Sequence, residues 1–287
     1  MRWLALPFHL SIDAALVPAG WYLLAQRAFE GRAAAPLDWP GATVVFLSVW
    51  LGYTADRWLD VRGQAPEAFV FGRRRFLARH QHKVALAWPA VLAGDVLLAL
   101  TRLELHPLRD GLLLMVVAVA AVLGVQCMEH RRGHPLPRSV KPLLTAVLMA
   151  WAATVFHPGI PRAAAISPHL VLLGIPLAVL FAFNAVLAAA WEEPFDEIER
   201  GNARGSSPAW KCFQRRFLLL AFVCLVSGIV IQFEPRTSVL CHSHLTALGV
   251  MLLLAALPCP DEPRHAEARH SLANLALLTP WLALPLL

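Results

Sequence analysis

The sequence predicts an all-α protein, a polytopic membrane bundle of about nine transmembrane helices forming one domain over residues 1–287. Three observations predict it. Of the residues, 58% are hydrophobic and only 15% charged, where a soluble domain carries about 25% charged residues. Apolar runs near the ~20 residues needed to cross a bilayer recur along the whole length. Between them, Lys and Arg alternate between rich and poor loops, as the positive-inside rule requires.

The runs cover roughly 4–26, 38–60, 84–103, 111–128, 142–157, 168–190, 217–233, 240–257 and 271–287. The fifth and last are short, so eight is the fallback count. Backbone groups in lipid must satisfy one another, which makes each run a helix. Pro89, Pro176 and Pro280 fall inside runs and predict local kinks. The first run is long, contains Asp13 and lacks a small-x-small cleavage pattern, so it reads as a first span and not a signal peptide. Nineteen of the 25 Lys and Arg fall at the N-terminus and around the 2–3, 4–5, 6–7 and 8–9 loops. That split places those loops and the N-terminus in the cytoplasm. The net charge of +6 is not a nucleic-acid footprint, because the basic residues lie between spans and form no soluble face. Five scattered cysteines without C-x-x-C spacing define neither a zinc site nor a disulfide framework.

The second run ends in "GYTADRWLDVRG", residues 52–63. Charge at mid-bilayer costs roughly 2.5–3.5 kcal/mol per residue even on the lenient insertion scale, so these residues mark an interface or a polar cavity. Asp56 and Asp60 share a helix face at i and i+4. Two carboxylates so placed repel unless a cation lies between them or one is protonated; pairing with Arg57 and Arg62 at a solvated helix end is the plainer alternative. The sixth run ends in "WEEPFDEIER", where Glu192 and Asp196 repeat the spacing, as do Glu193 and Glu197, with Pro194 placed to break the helix. Two carboxylate pairs on one membrane face suit Mg²⁺, which takes one or two carboxylates and completes its shell with water and phosphate oxygens. Arg138 and Lys141, in "HPLPRSVK" before the fifth span, supply cations that match a diphosphate.

A D-x-x-x-D at the end of span two, a basic element before span five and a second acidic motif at the end of span six resemble the UbiA-type intramembrane prenyltransferases. The family's first motif, N-D-x-x-D-x-x-x-D, places its last two aspartates on Asp56 and Asp60, while Gly52 and Tyr53 stand where it has Asn and Asp. Its second motif, D-x-x-x-D, is matched by Glu192 and Asp196, and its diphosphate-contacting lysine by Lys141. The resemblance implies a Mg²⁺-dependent enzyme in a bacterial inner membrane, with cytoplasmic site loops. It would transfer an isoprenyl group from a prenyl diphosphate to a membrane-accessible aromatic or other small acceptor. Asp56, Asp60, Glu192 and Asp196 are then the metal-holding and catalytic residues. Arg57, Arg138, Lys141 and Asn184 bind diphosphate, with Trp58, Trp191 and Phe183 beside the allylic cation. The missing Asn and Asp favour a rival of another class, a UbiA-fold protein that binds a lipid or isoprenoid without transfer.

Other polar features are weighed against this site. Asp13 and Asn184 lie inside spans and either contact the acceptor or hydrogen-bond across helices; Asp95 has no partner identifiable from sequence. The basic segment "FGRRRFLARHQHK", 71–83, reads as a cytoplasmic cap drawing in an anionic headgroup, or as a surface helix on anionic lipid. The pairs His80/His82 and His242/His244 lie at opposite membrane faces and cannot share a metal. The D-x-x-D-G signature of CDP-alcohol phosphotransferases is absent, and no inverted repeat with broken helices points to a transporter.

Overall fold

The computed structural model describes residues 6–30, 36–132, 140–155, 168–199, 219, 221–229, 231, 238–258 and 260–286. All regular elements among them are helical. A short turn α1 (Leu6–His9) precedes α2 (Ile12–Glu30), α3 (Trp39–Val61), α4 (Gly72–Arg102), α5 (Leu105–Arg132), α6 (Val140–Val155) and α7 (Pro168–Glu199). Then follow α8 (221–229), α9 (Ser238–Ala255), α10 (Pro263–Ala276) and α11 (Thr279–Ala283).

Among the described residues, four helices are long and apolar enough to cross a membrane: Gly72–Arg102, Leu105–Met128, Leu173–Glu192 and Ser238–Ala255, with Val140–Thr154 a shorter apolar helix. The described residues therefore form an all-helical bundle compatible with a membrane, and they do not by themselves establish the expected nine spans. Two expected boundaries change. The basic segment 71–83 is no separate cap; it is the first part of α4, continuous with the span and broken only by non-helical dihedrals at His80. The run 271–287 is no single span. α10 begins earlier, at Pro263, and ends at Ala276. Pro280 cannot donate to Ala276 O and its ring would clash there, so it ends one helix and sits in the first turn of the next, α11. Pro194, in contrast, is accommodated inside α7, which runs on to Glu199.

α7 is the hub, packing against α6, α9 and α10, while α2 contacts α3, α6, α9 and α10. Lipid tails are as apolar as leucine, so close packing and polar contacts, more than burial itself, hold such helices together. The sequence supplies small residues where that is needed. Ala146, Ala150 and Ala153 are buried along one face of α6 and let it approach Leu173, Leu177, Leu180 and Leu187 of α7. α4 and α5 lie at the periphery with most of their length exposed, including Leu97, Leu100, Leu112 and Val116. α4 is tied to α3 by polar contacts: Asp95 accepts a hydrogen bond from Ser48 Oγ at 2.7 Å, and Trp88 Nε1 donates to Leu51 O at 3.1 Å. Asp95 thus has a partner on the neighbouring helix.

At the opposite end of α3 from the charged motif, Asp38 caps the helix by accepting from Gly41 N at 2.9 Å. Tyr22 donates to its other oxygen at 2.5 Å, and Gln26 Oε1 accepts from Asp38 N at 2.8 Å. The charged end stops differently. Arg62 is extended, and Gly63 takes a left-handed φ of 76°, the conformation glycine adopts without a Cβ penalty.

Candidate functional site

The residues that end α3 lie on one helical face at 53, 56, 57 and 60, and the bundle divides them between two polar groups. The first is a bridge. Lys141, in the first turn of α6, places Nζ 2.8 Å from Asp56 Oδ1 and 3.1 and 3.2 Å from the two Asp60 oxygens. Gln126 Nε2 of α5 donates to Asp60 at 3.5 Å. The cation required between the paired aspartates is therefore a lysine of this chain. Arg57 and Arg62 are not the partners of Asp56 and Asp60; Arg62 lies over the Trp58 ring at 5.1 Å.

The second group centres on Arg73 of α4, which is 7% exposed. Its guanidinium pairs with Glu192 of α7 and lies 2.9 Å from His270 Nδ1 of α10. Its backbone N donates to Glu267 Oε1 at 2.9 Å. His270 Nδ1 is also 2.6 Å from Glu192 Oε1; it donates to the carboxylate in one tautomer and accepts from the guanidinium in the other. Burial, with Arg73 adjacent, holds the His270 imidazole below its ordinary value against the pull of Glu192. Glu192 is thus met by two cation-capable groups. The arginines of segment 71–83 are largely engaged within the chain: Arg74 lies over the Phe71 ring at 5.4 Å, and Arg75 donates to Phe69 O.

Arg57 stands between the two groups. Its Nε is buried without a hydrogen-bond partner, its Cζ lies 5.9 Å from the Tyr53 ring centroid, and no ion pair joins it to a described carboxylate. It feels Glu192 as attraction and Arg73 and Arg74 as repulsion. Tyr53, in turn, lies in the fields of Arg57, Asp13, Asp56 and Arg73, and its hydroxyl contacts Met149 Sδ at 3.8 Å.

Deeper in the bundle, Asn274 of α10 joins two further helices. Its Nδ2 donates to Asp13 Oδ2 at 2.7 Å, and its Oδ1 accepts from Asn184 Nδ2 at 3.0 Å. Asp13 and Asn184 therefore hydrogen-bond across helices through Asn274. Trp191 and Phe183 are fully buried. Arg138 lies outside the described residues, as do the side chains of Glu193, Asp196 and Glu197. The pair His242/His244 splits: His242 is exposed, whereas His244 is buried with Nε2 3.1 Å from Cys224 O.

The residues that sequence reasoning missed are on α10. Glu267, His270 and Asn274 recur at three- and four-residue spacing on one face, a signal visible in "EARHSLAN" but lost when the segment is divided between a loop and a span. The Mg²⁺ implied by the resemblance can be tested against these side chains. Among the described residues no group of three or more His, Cys, Asp or Glu could hold a metal, Asp56 and Asp60 already share Lys141, and Glu192 is engaged by Arg73 and His270. The donor set described does not fit Mg²⁺. No family model matches the chain, and neither a curated protein nor a solved structure matches it.

Proposed function

We propose that this chain is a UbiA-like membrane protein that binds an isoprenyl diphosphate at the charged end of its bundle and transfers the isoprenyl group to an aromatic or other small acceptor. The observation that supports it most is Arg57: a guanidinium with a buried, unbonded Nε, beside a second arginine and lacking a carboxylate of its own. A partly buried cation with no carboxylate paired to it is poorly compensated, and a diphosphate supplies the missing charge with the paired oxygens that suit guanidinium. In this reading Arg57 neutralises the diphosphate as its bond to the allylic carbon breaks. The acceptor bonds to that carbon and releases a proton.

A second reading, binding without transfer, is favoured by one specific observation. The Lys141 ammonium already lies between Asp56 and Asp60, where a divalent counter-ion of a departing diphosphate would have to compete with it. Purified full-length protein in detergent, incubated with radiolabelled farnesyl diphosphate, tests both. Saturable binding that Arg57→Leu weakens about tenfold or more, as loss of a charged hydrogen bond of ~1.5–3 kcal/mol requires, supports the common part. Release of diphosphate with acceptor present supports transfer. Binding without release leaves the second reading, and equal binding of farnesol and farnesyl diphosphate refutes the diphosphate site and with it transfer, leaving isoprenoid binding alone.

A further inference from the structure

The disagreement between the acidic motif and a metal site has a specific cause. We propose that the Lys141 ammonium occupies, between Asp56 and Asp60, the place a divalent cation would take, so that this acidic pair is closed by a cation of the chain itself and excludes metal.

Four observations converge. Nζ reaches both carboxylates at 2.8 and 3.1 Å, a bridging position that a bound metal would have to share or empty. A divalent ion placed there would face a tethered ammonium at contact distance, and the two cations repel. The neighbouring positions offer no replacement ligands: residue 52 is glycine, whose missing Cβ would meet nothing within 4 Å, and the Tyr53 hydroxyl is turned to Met149. Mg²⁺ demands near-octahedral oxygen coordination and dehydrates reluctantly, so two carboxylates already hydrogen-bonded to lysine and glutamine make a poor competitor for its water shell.

The position of Lys141 on its helix strengthens the assignment. A lysine in the first turn of α6 (Val140–Val155) sits at the positive end of the helix dipole, where a cation is disfavoured. The two aspartates of α3 reverse that penalty, and they do so only while Nζ stays between them. The bridge is also partly open to water, with the three side chains 23–35% exposed, so added metal ions can reach it and the competition is measurable. The inference concerns the cation alone and does not depend on the identity of any substrate.

The test is Mn²⁺ binding by electron paramagnetic resonance on the purified full-length protein without lipid substrate, Mn²⁺ standing in for Mg²⁺. The wild type is expected to show no saturable site at free Mn²⁺ up to about 1 mM, the weak end of protein sites for hard divalent cations. Lys141→Met and Lys141→Gln should each gain one site, roughly tenfold tighter or more, and Asp60→Asn in the same background should remove it. Lys141→Arg keeps the positive charge and should stay metal-free. Size-exclusion elution identical to wild type identifies the folded variants. A wild-type site that Asp60→Asn abolishes would overturn the proposal. So would folded Lys141→Met and Lys141→Gln proteins that bind no more Mn²⁺ than wild type.

Discussion

Replacing Arg73 by methionine tests the polar centre that joins α4, α7 and α10. The substitution keeps the aliphatic reach and removes the charge. Glu192, 13% exposed, loses its guanidinium partner, whereas Glu267 keeps the backbone N–H of residue 73 as a donor. The damage therefore concentrates on one carboxylate. Removing one partner of a buried ion pair costs about 3–5 kcal/mol. The group is not fully dry, since its side chains are 8–19% exposed, so the lower end, ~3 kcal/mol, applies here. That is roughly a hundredfold change in the folded-to-unfolded ratio. Glu192→Met is expected to cost less, because Arg73 keeps Glu267. The double variant Arg73→Met/Glu192→Met should be more stable than Arg73→Met alone, since apolar replacements of a buried pair are often neutral or better. Equilibrium unfolding in mixed micelles, followed by tryptophan fluorescence, measures all four proteins. A loss below ~1 kcal/mol for Arg73→Met, the range of exposed pairs, refutes the reasoning. So does a double variant whose loss equals the sum of the singles.

Two other outcomes follow from named groups. Burial and Arg73 lower the folded-state pKa of His270 from 6.5, against Glu192, so its contribution to stability is complete above pH 6.5 and is lost as pH falls through the folded value. A thermal-unfolding series should show an acid-side decline that His270→Asn reduces, and an unchanged profile in that variant refutes the assignment. Asn274→Leu removes the donor to Asp13 and the acceptor for Asn184, leaving two buried polar groups unsatisfied at ~1–3 kcal/mol each. The same unfolding assay should register that loss, and a stability equal to wild type would show that other groups or water satisfy them.

Much of the helical architecture is legible in the sequence, because long apolar runs have few other ways to satisfy their backbone in lipid. α5, α7 and α9 fall where the runs at 111–128, 168–190 and 240–257 place them. What hydropathy misreads is the polar shoulder of a helix. Arg73 reads as part of a separate surface segment because its partners lie 119 and 194 residues away, beyond any local pattern. α10 is the same case from the other side: Glu267 and His270 look like loop residues until Arg73 and Glu192 face them. The site was legible as an inventory of residues and not as a set of pairs. Asp56 and Asp60 share a face as their spacing requires, but nothing in the spacing shows that Lys141 bridges them. Pro194 and Pro280 make the point about context. The same residue type is absorbed within α7 and ends a helix near the C-terminus, according to the packing around it.

The α10 contacts also fix when the polar interior can be completed during biosynthesis. The chain emerges from its N-terminus, so Asp13, Arg73, Glu192 and Asn184 are all made before any of their α10 partners. Asn274 lies 261 residues after Asp13. Until α10 arrives, Asp13 and Asn184 lack the amide that joins them, and Arg73 lacks Glu267. Assembly of this interior therefore waits for α10. A ribosome stalled before residue 263, or a truncation there, would yield inserted helices that carry the site's charges without the helix that reconciles them.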